Sequence, residues 1–296
     1  MKSKLRYLST LAPWLCAVTV LTVFSSQSRA DDGAKRKNPT SKLYVADVEG
    51  DSSINTGDKI NELTKKSVYS AEGTIIETKS DSRNALVLSN GTGISIDPDT
   101  KLEVKRFLQE PFTPNRNDAE IEPSVSQTAA FLPRGSVGLC TSKMVAGSTM
   151  NYSTPQANIT IHGRKVVIES SGNTTTVSML EGDATVNGGA SGGGDSLQVG
   201  QQAVITRNSP TEPPTIKIQP IPPEQKEALS DKVNMACMAR KTVYFSVAER
   251  HPNDVYSNVF SETTDAGEEI VPVEVLPGTI DPVVTVSPSA ITRNTP

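Results

Sequence analysis

From Leu43 to Ile205 the chain is a succession of short runs rich in β-branched residues, each ended by Gly, Asn or Asp, with no helical period between them. In the first block the runs are Leu43 to Val48, Thr74 to Glu77, Ala85 to Leu88 and Ile94 to Ile96, followed by Leu102 to Phe107, which alternates apolar and polar residues as a half-buried strand does. Asn90-Gly91 sits between two of these runs and reads as a tight hairpin whose central residues both tolerate positive φ. A second block repeats the pattern: Val137 to Cys140, Met150 to Tyr152, Ile159 to Ile161, Lys165 to Glu169, Thr175 to Leu180, Ala184 to Val186 and Ala203 to Ile205. Strands at this spacing predict an all-β sandwich, barrel or solenoid. With only 4% aromatic residues the core must be thin and built from aliphatic side chains.

The flanks differ in character. Residues 1–30 open with Lys2, Lys4 and Arg6, continue through an apolar stretch from Leu11 to Phe24 and close on Ser28-Arg29-Ala30, the order of a cleavable secretory signal; a retained anchor is the alternative. The apolar stretch contains Pro13 and is shorter than the ~20 residues a spanning helix needs, and no second such run follows, so no stable membrane span is expected after cleavage. Residues 31–42 read as a flexible leader, 43–207 as the β domain and 208–222 as an extended Pro-rich linker unsuited to a central strand. Within the domain, Leu108 to Gln127 reads as a surface excursion and Gly188 to Gly194 as a flexible loop. One amphipathic helix is expected over 223–241, with Pro223 in its first turn, Leu229, Val233, Ala236 and Cys237 on one face and Arg240-Lys241 at its end. Residues 242–296 read as an acidic, Pro-rich, partly disordered tail.

Removing residues 1–30 takes away four of the 29 basic side chains and none of the 33 acidic ones, leaving a net charge of −8. That balance argues against nucleic-acid or anionic-lipid partners. Only Cys140 and Cys237 remain after the signal. In an oxidising compartment they can pair and clip the helix to the β domain, or they are two buried thiols.

Read in order, Gly73-Thr74-Ile75-Ile76-Glu77-Thr78, Leu86 to Thr92, Asp97-Pro98-Asp99-Thr100-Lys101-Leu102, Thr154-Pro155-Gln156-Ala157, Val177 to Gly182 and Val199-Gly200-Gln201-Gln202 resemble the FecR domain, the exported β-rich module named after the iron-dicitrate signalling regulator. The resemblance spans about residues 43–207 and implies a β module of the sensor or scaffold type. Where the family commonly has Arg-Gly-Thr, this chain has His162-Gly163-Arg164-Lys165. Signalling members carry a cytoplasmic segment that contacts a sigma factor, and the short stretch before the apolar run leads to the expectation that such a segment is lacking here.

Catalytic chemistry is hard to assemble. The two histidines, His162 and His251, fall in a turn and in the tail, which suits neither a Ser-His-Asp arrangement nor a multi-histidine metal site. Neither a Gly-x-Ser-x-Gly elbow nor a phosphate-cradling Gly-Lys-Ser/Thr occurs, so no cofactor is expected. Asp47 to Asp58 places oxygen ligands at calcium-loop positions, but Glu49 and Ser52 depart from the pattern, and we read it as a polar turn. Asn-x-Ser/Thr triplets at Asn90, Asn151, Asn158 and Asn173 reflect turn composition. Three functions are then in competition: a non-enzymatic exported module binding a protein or an envelope polysaccharide; a sensor subunit acting on a separate transducer; and a carbohydrate-active enzyme using paired carboxylates.

Overall fold

The computed structural model describes residues 41–112, 120–188, 194–209, 211–247, 262–263 and 269–275. The first half contains β1 (Lys42–Glu49), β2 (Ser52–Asn55), β3 (Ile60–Glu62), β4 (Val68–Ser70), β5 (Ile75–Thr78), β6 (Arg83–Leu88), β7 (Gly93–Ile96), β8 (Lys101–Gln109) and β9 (Ser126–Cys140). The second half contains β10 (Thr149–Ser153), β11 (Asn158–Ile161), β12 (Lys165–Ser171), β13 (Thr174–Glu181), β14 (Ala184–Asn187), β15 (Asp195–Leu197), β16 (Gln201–Thr206) and β17 (Thr215–Pro220). A 3₁₀ turn, Pro223–Gln225, leads into α1 (Lys226–Lys241), and β18 (Val243–Val247), β19 (Glu262–Thr263) and β20 (Glu269–Val275) form a small separate sheet.

These strands make two layers. One runs β4-β1-β6-β7-β9-β12-β13-β16-β17. The other runs β3-β2-β5-β8-β9-β10-β11-β14-β15. Within them every pairing is antiparallel except β9 with β10. Leu43, Val45, Leu86 and Ile94 of the first layer meet Ile54, Ile76, Leu102 and Val104 of the second in one core, so the fold is a sandwich. The two halves repeat a unit: β5 pairs with β8 in the second layer while β6 and β7 form a hairpin in the first, and β11, β14, β12 and β13 do the same.

Strand β9 joins the layers. Its first part, up to Arg134, pairs with β8, and its last part, Gly135 to Cys140, pairs with β12. The bend falls at Gly135, whose φ of +96° suits glycine and whose Cβ, if present, would lie 2.2 Å from Thr100 Oγ1. Pro133 sits where the ladder skips from Glu103↔Phe131 to Lys101↔Arg134, so its missing N–H deprives the ladder of nothing.

Several expectations need correction. The excursion over 108–127 is shorter than read, because Leu108 and Gln109 end β8 and Ser126 begins β9. The strand read over Val137 to Cys140 is the end of the 15-residue β9, which begins at Ser126 and bends at Gly135. Within the 208–222 linker, Thr215–Pro220 forms β17, an edge strand free of proline until its last residue. Asn90 does not take positive φ; only Gly91 does, at +83°, closing a turn in which Leu88 O accepts from Gly91 N and Leu88 N donates to Thr92 O. Asn90 is buried instead, its Oδ1 accepting from Thr92 N. The signal segment, residues 31–40, Gly189 to Gly193, His251 and most of the tail lie outside the described residues, and β18 and β20 occupy part of what reads as tail.

Candidate functional site

Helix α1 lies on the outer face of the first layer, across β6, β7, β9 and β12. Its buried Leu229, Val233, Ala236 and Ala239 meet Cys140, Val167, Ala85 and Val87. Burying each of the two larger side chains contributes about 1.5–3 kcal/mol. The approach is close because β7 and β9 present glycines: a Cβ on Gly93 would lie 2.0 Å from Ala236 O, and one on Gly138 would lie 3.0 Å from Lys232 O. Ser95 Oγ donates to Lys232 O at 2.8 Å, and Arg240 donates to Thr141 O and Ser142 Oγ. Cys140 and Cys237 form a disulfide in this interface, their Cα atoms 5.1 Å apart.

Lys232 is the charged centre of this interface. Its Nζ lies 2.8 Å from Asp97 Oδ2 and 2.6 Å from Glu169 Oε1, and donates to Ser136 Oγ at 2.9 Å. Burial alone pushes the ammonium pKa down, but the hydrogen bonds and charges of Asp97 and Glu169 outweigh it and hold the pKa above the ordinary lysine value. Arg83 Nε stands 3.4 Å from Asp97 Oδ1 without hydrogen-bond geometry.

Beyond the helix, the outer face of β12, β13 and β16 is open and forms part of a trough. One concavity of about 400 Å³ lies between this face and the first turn of α1, with Gln202, Thr176 and Glu224 on its walls. A second, of about 490 Å³, shares Glu169 and Thr176 with it and continues over Ser170 and Thr174 to Asp99 and Arg134. A third, of about 710 Å³, shares Asp99 and Arg134 and turns onto the second layer beside Asp51, Glu62, Glu77 and Lys79, ending at Ile60 of the edge strand β3. The trough has no aromatic wall, and much of its charge is internally paired: Asp51 with Lys79, Glu77 with Lys101, Glu169 with Lys232.

The residues singled out in sequence fall elsewhere. His162 is an exposed turn residue, Nδ1 lying 3.1 Å from Asp183 Oδ2. The Asp47 to Asp58 segment is divided among β1, a turn and β2, and Asp47 is paired with Lys65 at 2.8 Å. The family-like motifs are architectural. Thr154 Oγ1 accepts from Gln156 N and Ala157 N, while Thr175 Oγ1 bonds Thr154 and Gln156 in a buried knot between the layers. Gly182, with φ +94°, comes so close to Gly163 that a Cβ there would lie 2.2 Å from Gly163 Cα. Lys232 and Glu169 were not read as site residues in sequence, and Asp97 and Gln202 only as members of family-like motifs, since charged or amide residues in a helix or strand carry no local signal of meeting. Among the described residues no helix is long and apolar enough to cross a membrane.

No curated protein matches the chain at a significant level. Two crystal structures from Parabacteroides distasonis ATCC 8503, both described as candidate anti-sigma factors, are similar. The first has 14% identity and a TM-score of 0.37 over 52% of this chain and 62% of its own. The second has 13% identity and a TM-score of 0.38 over 59% of this chain and 77% of its own. The chain thus spans less than two thirds of the first of these relatives. Residues 74–185 match the model of the family described as FecR protein, a stretch that begins before β5, ends within β14 and covers the first four-strand unit and all but the end of the second.

Proposed function

We propose that this protein is an exported, non-enzymatic binding module whose FecR domain holds a protein or an envelope polymer in the periplasm or at the cell surface. The observation that carries this reading is the trough, an open, polar, elongated surface where Asp51, Glu77 and Glu169 are held by lysines in place of standing poised for proton transfer. His162, exposed and paired only with Asp183, adds no nucleophile or base to it. Export is supported by the basic, apolar and small-residue order of residues 1–30, and by a disulfide of the kind that persists in oxidising compartments.

The test is capture from envelope extracts with the mature chain, residues 31–296, as bait. Recovery of a defined protein or glycan is expected, and recovery of neither refutes the proposal. Thiol trapping of the protein in its host, with Cys140 and Cys237 expected to be unreactive until reduced, checks the compartment.

A further inference from the structure

We propose that the trough is a binding site for a neutral, hydroxyl-rich glycan strand, an inference that rests on the binding function above and names its ligand. Shape is the first argument. Each of the three concavities has the volume of a small-molecule site, and they abut end to end through shared residues, Glu169 and Thr176 at one junction and Asp99 and Arg134 at the other. A row of such sites suits a polymer with repeating units.

Charge narrows the class. Six carboxylates line the trough, Asp51, Glu62, Glu77, Asp99, Glu169 and Glu224, against three cations, Lys79, Arg134 and Lys232. Phosphate-bearing or uronic polymers would therefore meet net repulsion. A basic peptide would find half of these carboxylates taken, since Asp51, Glu77 and Glu169 already hold lysines of this chain, and only Glu62, Asp99 and Glu224, spread along the trough, left to pair with it. An apolar ligand would find little to cover, because hydroxyls, amides and charges dominate the walls.

A specific group then calls for a hydroxyl donor. Gln202, on β16, lines the trough and is only 3% exposed, and its Oε1 accepts no hydrogen bond among the described residues. A buried, unsatisfied amide oxygen is costly unless something supplies it with a donor. Its neighbours across the sheet are Ser178 on β13 and Gln219 on β17, and Thr176 and Glu169 stand on the adjoining row. Acceptor oxygens on Gln202 and Glu169 therefore stand beside the Thr176 hydroxyl, which can donate or accept, a mixture that matches groups able both to donate and to accept, as sugar hydroxyls do.

Calorimetric titration of the mature chain with neutral oligosaccharides of increasing length, β-1,4-linked glucose and N-acetylglucosamine oligomers, tests this beside a polyuronate and oligolysine. Saturable binding that strengthens with length and changes less than about twofold with added salt is expected, since screening acts on exposed charge. Thr176→Val, on an open strand face, and Gln202→Leu should each weaken binding about tenfold, the loss of ~1.4 kcal/mol that one polar contact represents. Thr176→Val should leave the melting midpoint unchanged, which separates lost contact from lost fold. Tight salt-sensitive binding to oligolysine alone, neutral-glycan affinity indifferent to both substitutions, or no neutral-glycan binding at all overturns the inference. If extracts still yield a protein partner in that last case, the binding function stands and only its ligand class is wrong; if nothing is captured either, both fall.

Discussion

Replacing Gly93 by alanine adds one methyl group at the tightest point of the helix–sheet contact. The new Cβ would stand 2.0 Å from Ala236 O, whereas ordinary contact begins at 3.4 Å, so helix and sheet must separate by about 1.4 Å. The obstacle is backbone, which cannot rotate away, and the disulfide one residue further on at Cys237 resists displacement. A gap of 0.5–1 Å already forfeits a quarter to a half of a dispersion contact, so the packing of Val233, Ala236 and Ala239 is loosened together. Overpacking of this kind costs about 1–3 kcal/mol, and with no flexible side chain to yield we expect about 3. Urea unfolding followed by far-UV circular dichroism measures it. Gly200→Ala is the reference: its Cβ would meet nothing within 4 Å, so it carries only the cost of φ +79°, about 1–2 kcal/mol. If Gly93→Ala destabilises no more than Gly200→Ala, the helix does not seat on β7 as described.

Three further outcomes follow from the same geometry. Joining residues 97 apart, the disulfide should contribute about 4.7 kcal/mol by chain entropy, so Cys140→Ala/Cys237→Ala should lower the urea midpoint under oxidising conditions to that of the reduced parent; equal midpoints for the oxidised parent and the variant would contradict it. Glu122, only 4% exposed, accepts from Asn90, Ser126, Ser148 and Val145 N, and Glu122→Ala should cost about 3 kcal/mol by stranding those donors, with a loss below 1 arguing that the loop is not anchored there. Because the pKa of Lys232 is raised in the folded state, its contribution is complete below the ordinary value of 10.5 and disappears as pH climbs through the folded value. The stability gap between the parent and Lys232→Gln should therefore be flat near neutrality and close in strong alkali, and a gap that persists unchanged there would assign the effect to another group.

The resemblance to the FecR domain, matched by the family model over residues 74–185, was legible because turns and strands are local. Gly91, Gly182 and Gly200 take positive φ where the motifs place glycine, and β-branched runs mark most strands to within a residue or two. Short strands with weak pattern escaped notice, among them β2, β3, β4 and β15, since three or four residues hardly define a period. Only Val137 to Cys140 of β9 were read as strand, since Pro133 and Gly135 interrupt its β-branched pattern where the sandwich bends the strand.

By itself the sequence determined the class of fold, the helix between Pro223 and Lys241 and the poverty of catalytic side chains, all properties of neighbours along the chain. Which layer each strand joins, the meeting of Cys140 with Cys237, and the gathering of Lys232 with Asp97 and Glu169 were decided only by tertiary structure. Those contacts join residues 63 to 135 positions apart, and no local periodicity encodes a distance that the packing of two sheets and a helix alone brings down to a hydrogen bond.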